Sequence, residues 1–397
     1  MNYNGNYSKA QSGAGPVSGE GRIELTADAL IINPKSGPPL TYSFRDIGDF
    51  TATDYKIDLT TFSGEKIAIG QLGYGYEDFL KNFARARNEL ILKDLLIYEK
   101  VQLAGIKGQY ELLDGSRKGE GEFRVYDTAL VVIPEKEELV RVSLSEIEGI
   151  ENRDYKLKVT AVSGSIAFSM LGGNLDPLAK GISDAVNEIV SRIQLFIKNI
   201  APQLDPAAVR DQARILREGR AVKKSELAPA LWDAIEKRVR ATDLKDEYDF
   251  LMSLAQKDHV RTGIKRGLMG DVTGDYLWFL IPLKKDYIAM EAVNLTEDQP
   301  SGEEGEEGGK ATYFFKAGKG GLEPALDMIA RGLIAINFRR EPIYLPDDKL
   351  YAPEYSKYRF SVIKLPELAE LRRLFAGRVI HSSPEQWQAD VTELLGK

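Results

Sequence analysis

The chain has 397 residues, 43% of them hydrophobic and 28% charged, with a net charge of −7 and no cysteine. A chain of that length calls for two or three cores rather than one, and its composition is that of an ordinary soluble globular protein. The acidic balance argues against a surface given over wholly to nucleic acid, and the missing cysteine removes disulfides, thiolate metal sites and thiol nucleophiles.

The opening stretch, MNYNGNYSKAQSGAGPVSGEG, lacks the charged start and apolar core of a signal peptide. The longest apolar runs, such as Tyr276–Leu283 (YLWFLIPL), fall short of the roughly 18 residues of a membrane span. A soluble, cytoplasmic protein is the expectation.

Ser18–Pro34 (SGEGRIELTADALIINP) returns one hundred residues later as Lys118–Pro134 (KGEGEFRVYDTALVVIP). The agreement continues through Ser43 and Ser143, Ile47 and Ile147, Tyr55-Lys56 and Tyr155-Lys156, and Ser63-Gly64 and Ser163-Gly164. One residue is then lost, so that Leu72-Gly73 meets Leu171-Gly172 and Asn88-Glu89 meets Asn187-Glu188. A single register change over so many matches reads as internal duplication.

Short apolar runs broken by Gly, Asp and Asn predict strands over Arg22–Thr26, Ala29–Ile32, Leu40–Phe44, Tyr55–Thr61 and Lys66–Gln71. Their counterparts are Glu122–Tyr126, Ala129–Ile133, Val140–Leu144, Tyr155–Ala161 and Ser165–Met170. Gln109–Asp114 adds a first strand to the second copy; its partner in the glycine-rich N-terminus has no clear place. Each copy closes with a helix. Phe79, Phe83, Ala86 and Leu90 share one face, and Leu178, Ile182, Ala185 and Ile189 repeat it, with Asp176-Pro177 expected as the cap.

Consecutive strands followed by one C-terminal helix resemble the pleckstrin-homology-like superfold, which includes the GRAM-type domains. The resemblance covers the first half of the chain and rests on element order and repetition. It implies two antiparallel β-meander modules, over 1–100 and 101–200. Some members bind inositol phosphates through a basic cluster around the first loop. Here that zone holds Lys9 and Arg22 in one copy, and Lys107, Arg117, Lys118 and Arg124 interrupted by Glu111, Asp114, Glu120 and Glu122 in the other. A multiply charged headgroup needs converging cations without such carboxylates. The modules therefore read as protein-binding or spacing units. The glycines of GQLGYG (Gly70, Gly73, Gly75) read as turn chemistry rather than a phosphate loop.

Residues 201–257 switch to helical periodicity and read as a connecting segment, with membership of the last domain as the alternative: Asp205-Pro206 opens one helix, Leu231, Ile235 and Val239 form the stripe of a second, and EYDFLMSLAQ supplies a third. Residues 258–397 read as an α+β domain. RTGIKRG, GDYLWFLIPL, DYIAMEAVN and ATYFFKAG give a four-stranded meander, followed by a helix with Leu322, Leu326, Ile329, Leu333 and Ile336 on one face. Further helices are expected near Pro366–Phe375 and Pro384–Leu395. The overall class is multidomain α+β.

The acidic loop 297–308 carries Glu297, Asp298, Glu303, Glu304, Glu306 and Glu307, and without them the rest of residues 201–397 is mildly basic. Arg261, Lys265 and Arg266, with Arg339 and Arg340, are the candidate anion- or partner-binding patch; on a strand, Arg261 and Lys265 share a face. His259 and His381 lack metal-ligand spacing, GKGG at 318–321 lacks the ending of a nucleotide loop, and no nucleophile elbow or Walker motif occurs. No catalytic residue, cofactor or metal is nominated, and an enzyme is the least favoured reading. A non-catalytic binding or scaffold protein engaging a protein partner comes first. An adaptor binding an anionic ligand, a lipid surface or nucleic acid, through the C-terminal cations is the alternative. Tandem pleckstrin-like modules in some histone chaperones resemble this layout in domain order. Oligomeric state has no signature in the sequence.

Overall fold

A computed structural model describes residues 1–10, 15–96, 99–267, 274–294, 310–336, 338 and 340–396. The chain divides into two compact units, residues 1–185 with 345–364 and residues 186–344 with 365–397.

Among the described residues, the first unit holds two seven-stranded antiparallel sheets. The first comprises β1 (Asn2–Ala10), β2 (Val17–Leu25), β3 (Ala29–Pro34), β4 (Leu40–Ser43), β5 (Ile47–Thr53), β6 (Lys56–Thr61) and β7 (Lys66–Gly70), and helix α1 (Tyr76–Leu95) follows. The second comprises β8 (Val101–Leu112), β9 (Lys118–Tyr126), β10 (Ala129–Pro134), β11 (Val140–Ser143), β12 (Ile147–Arg153), β13 (Lys156–Ala161) and β14 (Gly164–Ser169), and α2 (Leu175–Ile200) follows. The orders are β4-β3-β2-β1-β7-β6-β5 and β11-β10-β9-β8-β14-β13-β12, the same path twice.

Local details repeat as well. A register shift falls between Ile47 and Asp49 in one copy and between Ile147 and Gly149 in the other. The two-residue hairpin loops Asp54-Tyr55 and Asp154-Tyr155 have all four residues at positive φ, between 50° and 58°. So tight a hairpin demands left-handed backbone at both positions, a conformation that normally favours Asn and Gly.

The repeated G-E-G has a packing reason. Gly5, Gly21 and Pro34 are neighbours across three strands, as are Gly108, Gly121 and Pro134. A Cβ on Gly21 would stand 2.6 Å from the Asn33 carbonyl oxygen, and one on Gly121 2.8 Å from that of Ile133. No side chain fits where the strands approach so closely.

Three sequence expectations change. The first module does begin with a strand: β1 pairs Tyr7 with Gly19, as β8 pairs Tyr110 with Gly119. The separations are 12 and 9 residues, so the constant offset of one hundred hides the match. Strands β5 and β12 were not expected, because both are edge strands with mostly exposed, polar side chains. Helix α2 begins at Leu175, which puts Asp176 inside the first turn rather than at the cap.

The core of the first module packs Phe79, Phe83 and Leu90 of α1 against Ile23, Leu30, Phe44, Leu59 and Ile69. In the second, Leu178, Ile182 and Ala185 are likewise buried, as are Phe123, Val125 and Phe168; Ile189, also buried, falls in the second unit. The segment 345–364 belongs to the first unit, and its helix, Ser356–Lys364, packs on α1.

The second unit is built on a sheet of β15 (Val222–Lys223), β16 (Arg261–Arg266), β17 (Asp275–Pro282), β18 (Tyr287–Asn294), β19 (Ala311–Lys316) and β20 (Phe375–Ile380). These run in sequential order, unlike the other two sheets. Residues 201–257, expected as a connecting segment, supply α3 (Pro206–Ile215), α4 (Pro229–Val239) and α5 (Lys245–Leu254). Val209, Leu231, Ile235, Val239 and Leu251 share one core with Leu277, Phe279 and Ile281 of the sheet. Asp205 caps α3 as expected, accepting from the backbone N–H of Ala207 and Ala208. Helix α6 (Leu322–Ala335) follows β19, and helices Pro366–Leu374 and Pro384–Gly396 complete the unit. Among the described residues no helix is long and apolar enough to cross a membrane.

Candidate functional site

Two places bear on function: the C-terminal cations nominated by the sequence, and a cleft within the first unit. Arg261 and Lys265 do share a face of β16, and α6 lies along it. Arg261 is buried and reaches Glu323 at 2.7 Å and Asp327 at 2.5 Å in the first half of the helix. Lys265, also buried, donates to the carbonyls of Leu333 at 2.5 Å, Ile334 at 2.9 Å and Ile336. Carboxylates near the helix start and an ammonium at its last carbonyls both complement the helix dipole. Arg340 is buried over the Tyr313 ring, 4.6 Å from its centroid, and donates to Met290 Sδ at 3.5 Å. Arg266 alone of the four described residues is exposed. Arg339 and the acidic loop 297–308 lie outside the described residues. The expected patch is therefore not a shared solvent-facing surface: three of its cations are consumed by internal contacts. The partners of Arg261 and Lys265 stand 62 to 71 residues along the chain, and Met290 stands 50 from Arg340, beyond the reach of any local pattern.

Glu323 is the hub of this arrangement. Lys223 at 3.0 Å, Arg261 and the His259 imidazole all meet its carboxylate. Burial raises its pKa, but hydrogen bonds from Lys223, His259 and Arg261 outweigh that and hold it down at about 2. A carboxylate depressed below its unfolded value near 4.3 contributes stability above that pH and loses it as pH falls through the folded value. Its side chain is 38% exposed, so screening limits the contribution to about 1–2 kcal/mol. Denaturant midpoints should show Glu323→Gln less stable than the parent at pH 7, with the two converging near pH 2. A gap that stays constant with pH would refute the assignment.

The cleft lies where α1 faces the second sheet and measures about 640 Å³. Gly108, Gly121, Ile133 and Pro134 line it together with the side chains of Lys107, Gln109, Glu120 and Glu122 on β8 and β9, the strands of the two glycines. Helical spacing brings Lys81, Arg85 and Glu89 of α1 to one wall. Ion pairs hold the two modules in register around it. Lys81 meets Glu135 at 2.6 Å, Lys136 meets Glu77 at 2.5 Å, and Arg124 meets Glu89 and Glu122, both at 2.6 Å. The Arg124 hydrogen bond holds the Glu122 carboxyl below its ordinary value. Asn88 adds a backbone clasp, donating to the Glu137 carbonyl at 2.8 Å and accepting from Leu139 N–H at 3.2 Å.

At the bottom of this seam Arg87 is fully buried. It donates to Glu138 at 2.9 Å and to the carbonyls of Ile47 and Gly48 at 3.0 Å, between the rings of Phe50 and Phe360. Desolvation lowers its pKa, against the pull of Glu138. The same segment docks through Arg359 on Asp46 and Lys364 on Asp49. The seam is thus fixed, while four charges of the cleft, Asp78, Arg85, Lys107 and Glu120, have no ion-pair partner among the described residues; Asp78 accepts only from the Tyr3 hydroxyl, at 2.7 Å. Met170 completes the rim with its side chain 76% exposed and its backbone at φ 54°. Five carboxylates line the cleft against three cations, and three of the five are paired with Lys81 or Arg124.

None of these cleft residues was nominated as a site by the sequence. Their signal was present as charges at helical spacing on α1, but it concerned the face opposite the apolar stripe, which reads as solvated.

No family model and no curated protein matches the chain. Among solved structures it is similar to the Spt16D Pob3N heterodimer, at 15% identity over 41% of this chain and 85% of that chain, with a TM-score of 0.18. So low a score gives the likeness no weight.

Proposed function

We propose that the protein is a non-catalytic binding scaffold, and that its two seven-stranded modules are pleckstrin-homology-like units that engage a protein partner. The observation that carries this reading is the cleft between α1 and the second sheet. It has an exposed methionine at the rim and an excess of carboxylates. That combination suits an extended peptide segment bearing Lys or Arg with an apolar neighbour. It disfavours a phosphoinositide headgroup, which would meet like charge.

A photo-crosslinking residue in place of Met170 tests this in the native cell. The expected result is a protein adduct that is lost when Glu120→Lys is added, because Glu120 is exposed and bears no structural ion pair. Adducts only to lipid or nucleic acid, or a protein adduct indifferent to Glu120→Lys, would overturn the reading.

A further inference from the structure

A second groove, in the other unit, has the opposite character. It is about 410 Å³ and runs between the C-terminal part of α2 and α3. Arg210 and Arg214 stand one turn apart on α3, and Arg217 follows three residues on; Asn187, Ser191 and Gln194 form the facing wall on α2, over Val186 and Val190. Every polar side chain lining it is a guanidinium, an amide or a hydroxyl, and no carboxylate lines it. In a chain where acidic residues outnumber basic ones by 60 to 53, a groove without one acid runs against the composition.

Two observations make this more than a basic surface. First, Arg210 and Arg214 have no ion-pair partner among the described residues. Asp205, just over one turn before Arg210, is occupied by the α3 backbone, and its own pKa is lowered chiefly by the Ala208 and Ala207 N–H groups and less by Arg210. Second, Asn187 is the counterpart of Asn88 at the offset of 99. In the first copy that asparagine clasps a main-chain segment through both ends of its amide. In the second its amide has no partner among the described residues and stands open in the groove.

We propose that the groove between α2 and α3 is a binding site for the polyphosphate group of a small anionic ligand. Guanidinium forks grip phosphate oxygens in pairs, and residues four apart on one helix face can hold neighbouring phosphoryl groups of one chain. The amides and the serine hydroxyl opposite supply neutral donors. The volume lies within the range of small-molecule sites. The floor is aliphatic, with no aromatic platform for a base, so recognition is directed at the phosphate chain. Such a chain could be free inorganic polyphosphate or the tail of a nucleotide, which share that chemistry.

Calorimetric titration of the full chain with inorganic tripolyphosphate and, in parallel, with ATP tests the site and its source. Both arms should show binding at low salt that weakens as salt rises. Arg210→Ala with Arg214→Ala should weaken it at least about tenfold, each lost charge-assisted contact being large on that scale. Arg214→Lys should fall between, keeping the charge and losing the fork. Both arginines are exposed, opposite buried Val209 and Ala213, so thermal unfolding of the variants should match the parent. Equal affinity in the two arms assigns the phosphate chain alone, and tighter ATP assigns a nucleotide. Absence of binding by both probes at low salt, or binding that the double variant retains in full, overturns the site.

Discussion

Phe83→Ala will destabilise the first module by about 3–5 kcal/mol, and Ile182→Ala the second by about 2–5 kcal/mol. Phe83 is fully buried, with ring contacts to Phe44 at 5.7 Å, Phe50 at 5.2 Å and Phe79 at 6.1 Å. Two of these partners lie on or beside the sheet and the third on α1 itself, so truncation opens a cavity where the helix meets the strands. A close-packed interior relaxes only partly around such a loss. Ile182 is the residue at the same place in the repeat and is equally buried. Denaturant unfolding of both single variants measures the effect. Midpoints unchanged in either would mean that its helix does not close its module.

Arg87→Met will cost a comparable amount, about 3–5 kcal/mol, by a different route. Methionine keeps much of the volume but leaves the Ile47 and Gly48 carbonyls and the Glu138 carboxylate without their donor. Buried acceptors stripped of a partner retain their full desolvation penalty. Adding Glu138→Gln should return part of the loss, since it removes the stranded charge and leaves only the carbonyls unmet. The guanidinium also lies 5.5 Å from the Phe360 ring, so limited proteolysis should find the 345–364 segment more readily cut in Arg87→Met. A variant as stable as the parent, with that segment equally protected, would remove Arg87 from this role.

What the sequence disclosed follows from where each signal resides. The stripes Phe79–Phe83–Leu90 and Leu178–Ile182–Ile189 were legible because burial of one helix face writes itself at the helical period. The four strands from Arg261 to Lys316 were legible because both faces of their middle segments are buried, which leaves dense apolar runs. Strand β1 was illegible: Asn, Gly and Ser dominate it, and its hold on the sheet comes from backbone pairing with β2 and β7. The cations Arg261 and Lys265 were legible as a pair on one face but not as buried ones, because burial of a charge depends on partners brought in by the fold. Arg87 was passed over for the same reason. It stands where the second copy has Val186, so the repeat itself marks the position as changed without saying what it contacts. The Arg210, Arg214 and Arg217 spacing was present in the sequence, yet only the facing helix turns it into a groove.

The membership of residues 345–364 in the first unit has a consequence for synthesis. Both sheets of that unit leave the ribosome well before the segment that packs on α1, since residues 186–344 intervene. At ordinary translation speeds that delay is roughly 10–30 s. During it the Arg87 guanidinium lacks the Phe360 ring, and Asp46 and Asp49 lack their cations. The nascent chain therefore passes through a period in which its first unit is folded in outline but uncovered along α1. A chaperone or a binding partner acting then would meet a surface that the finished protein no longer offers.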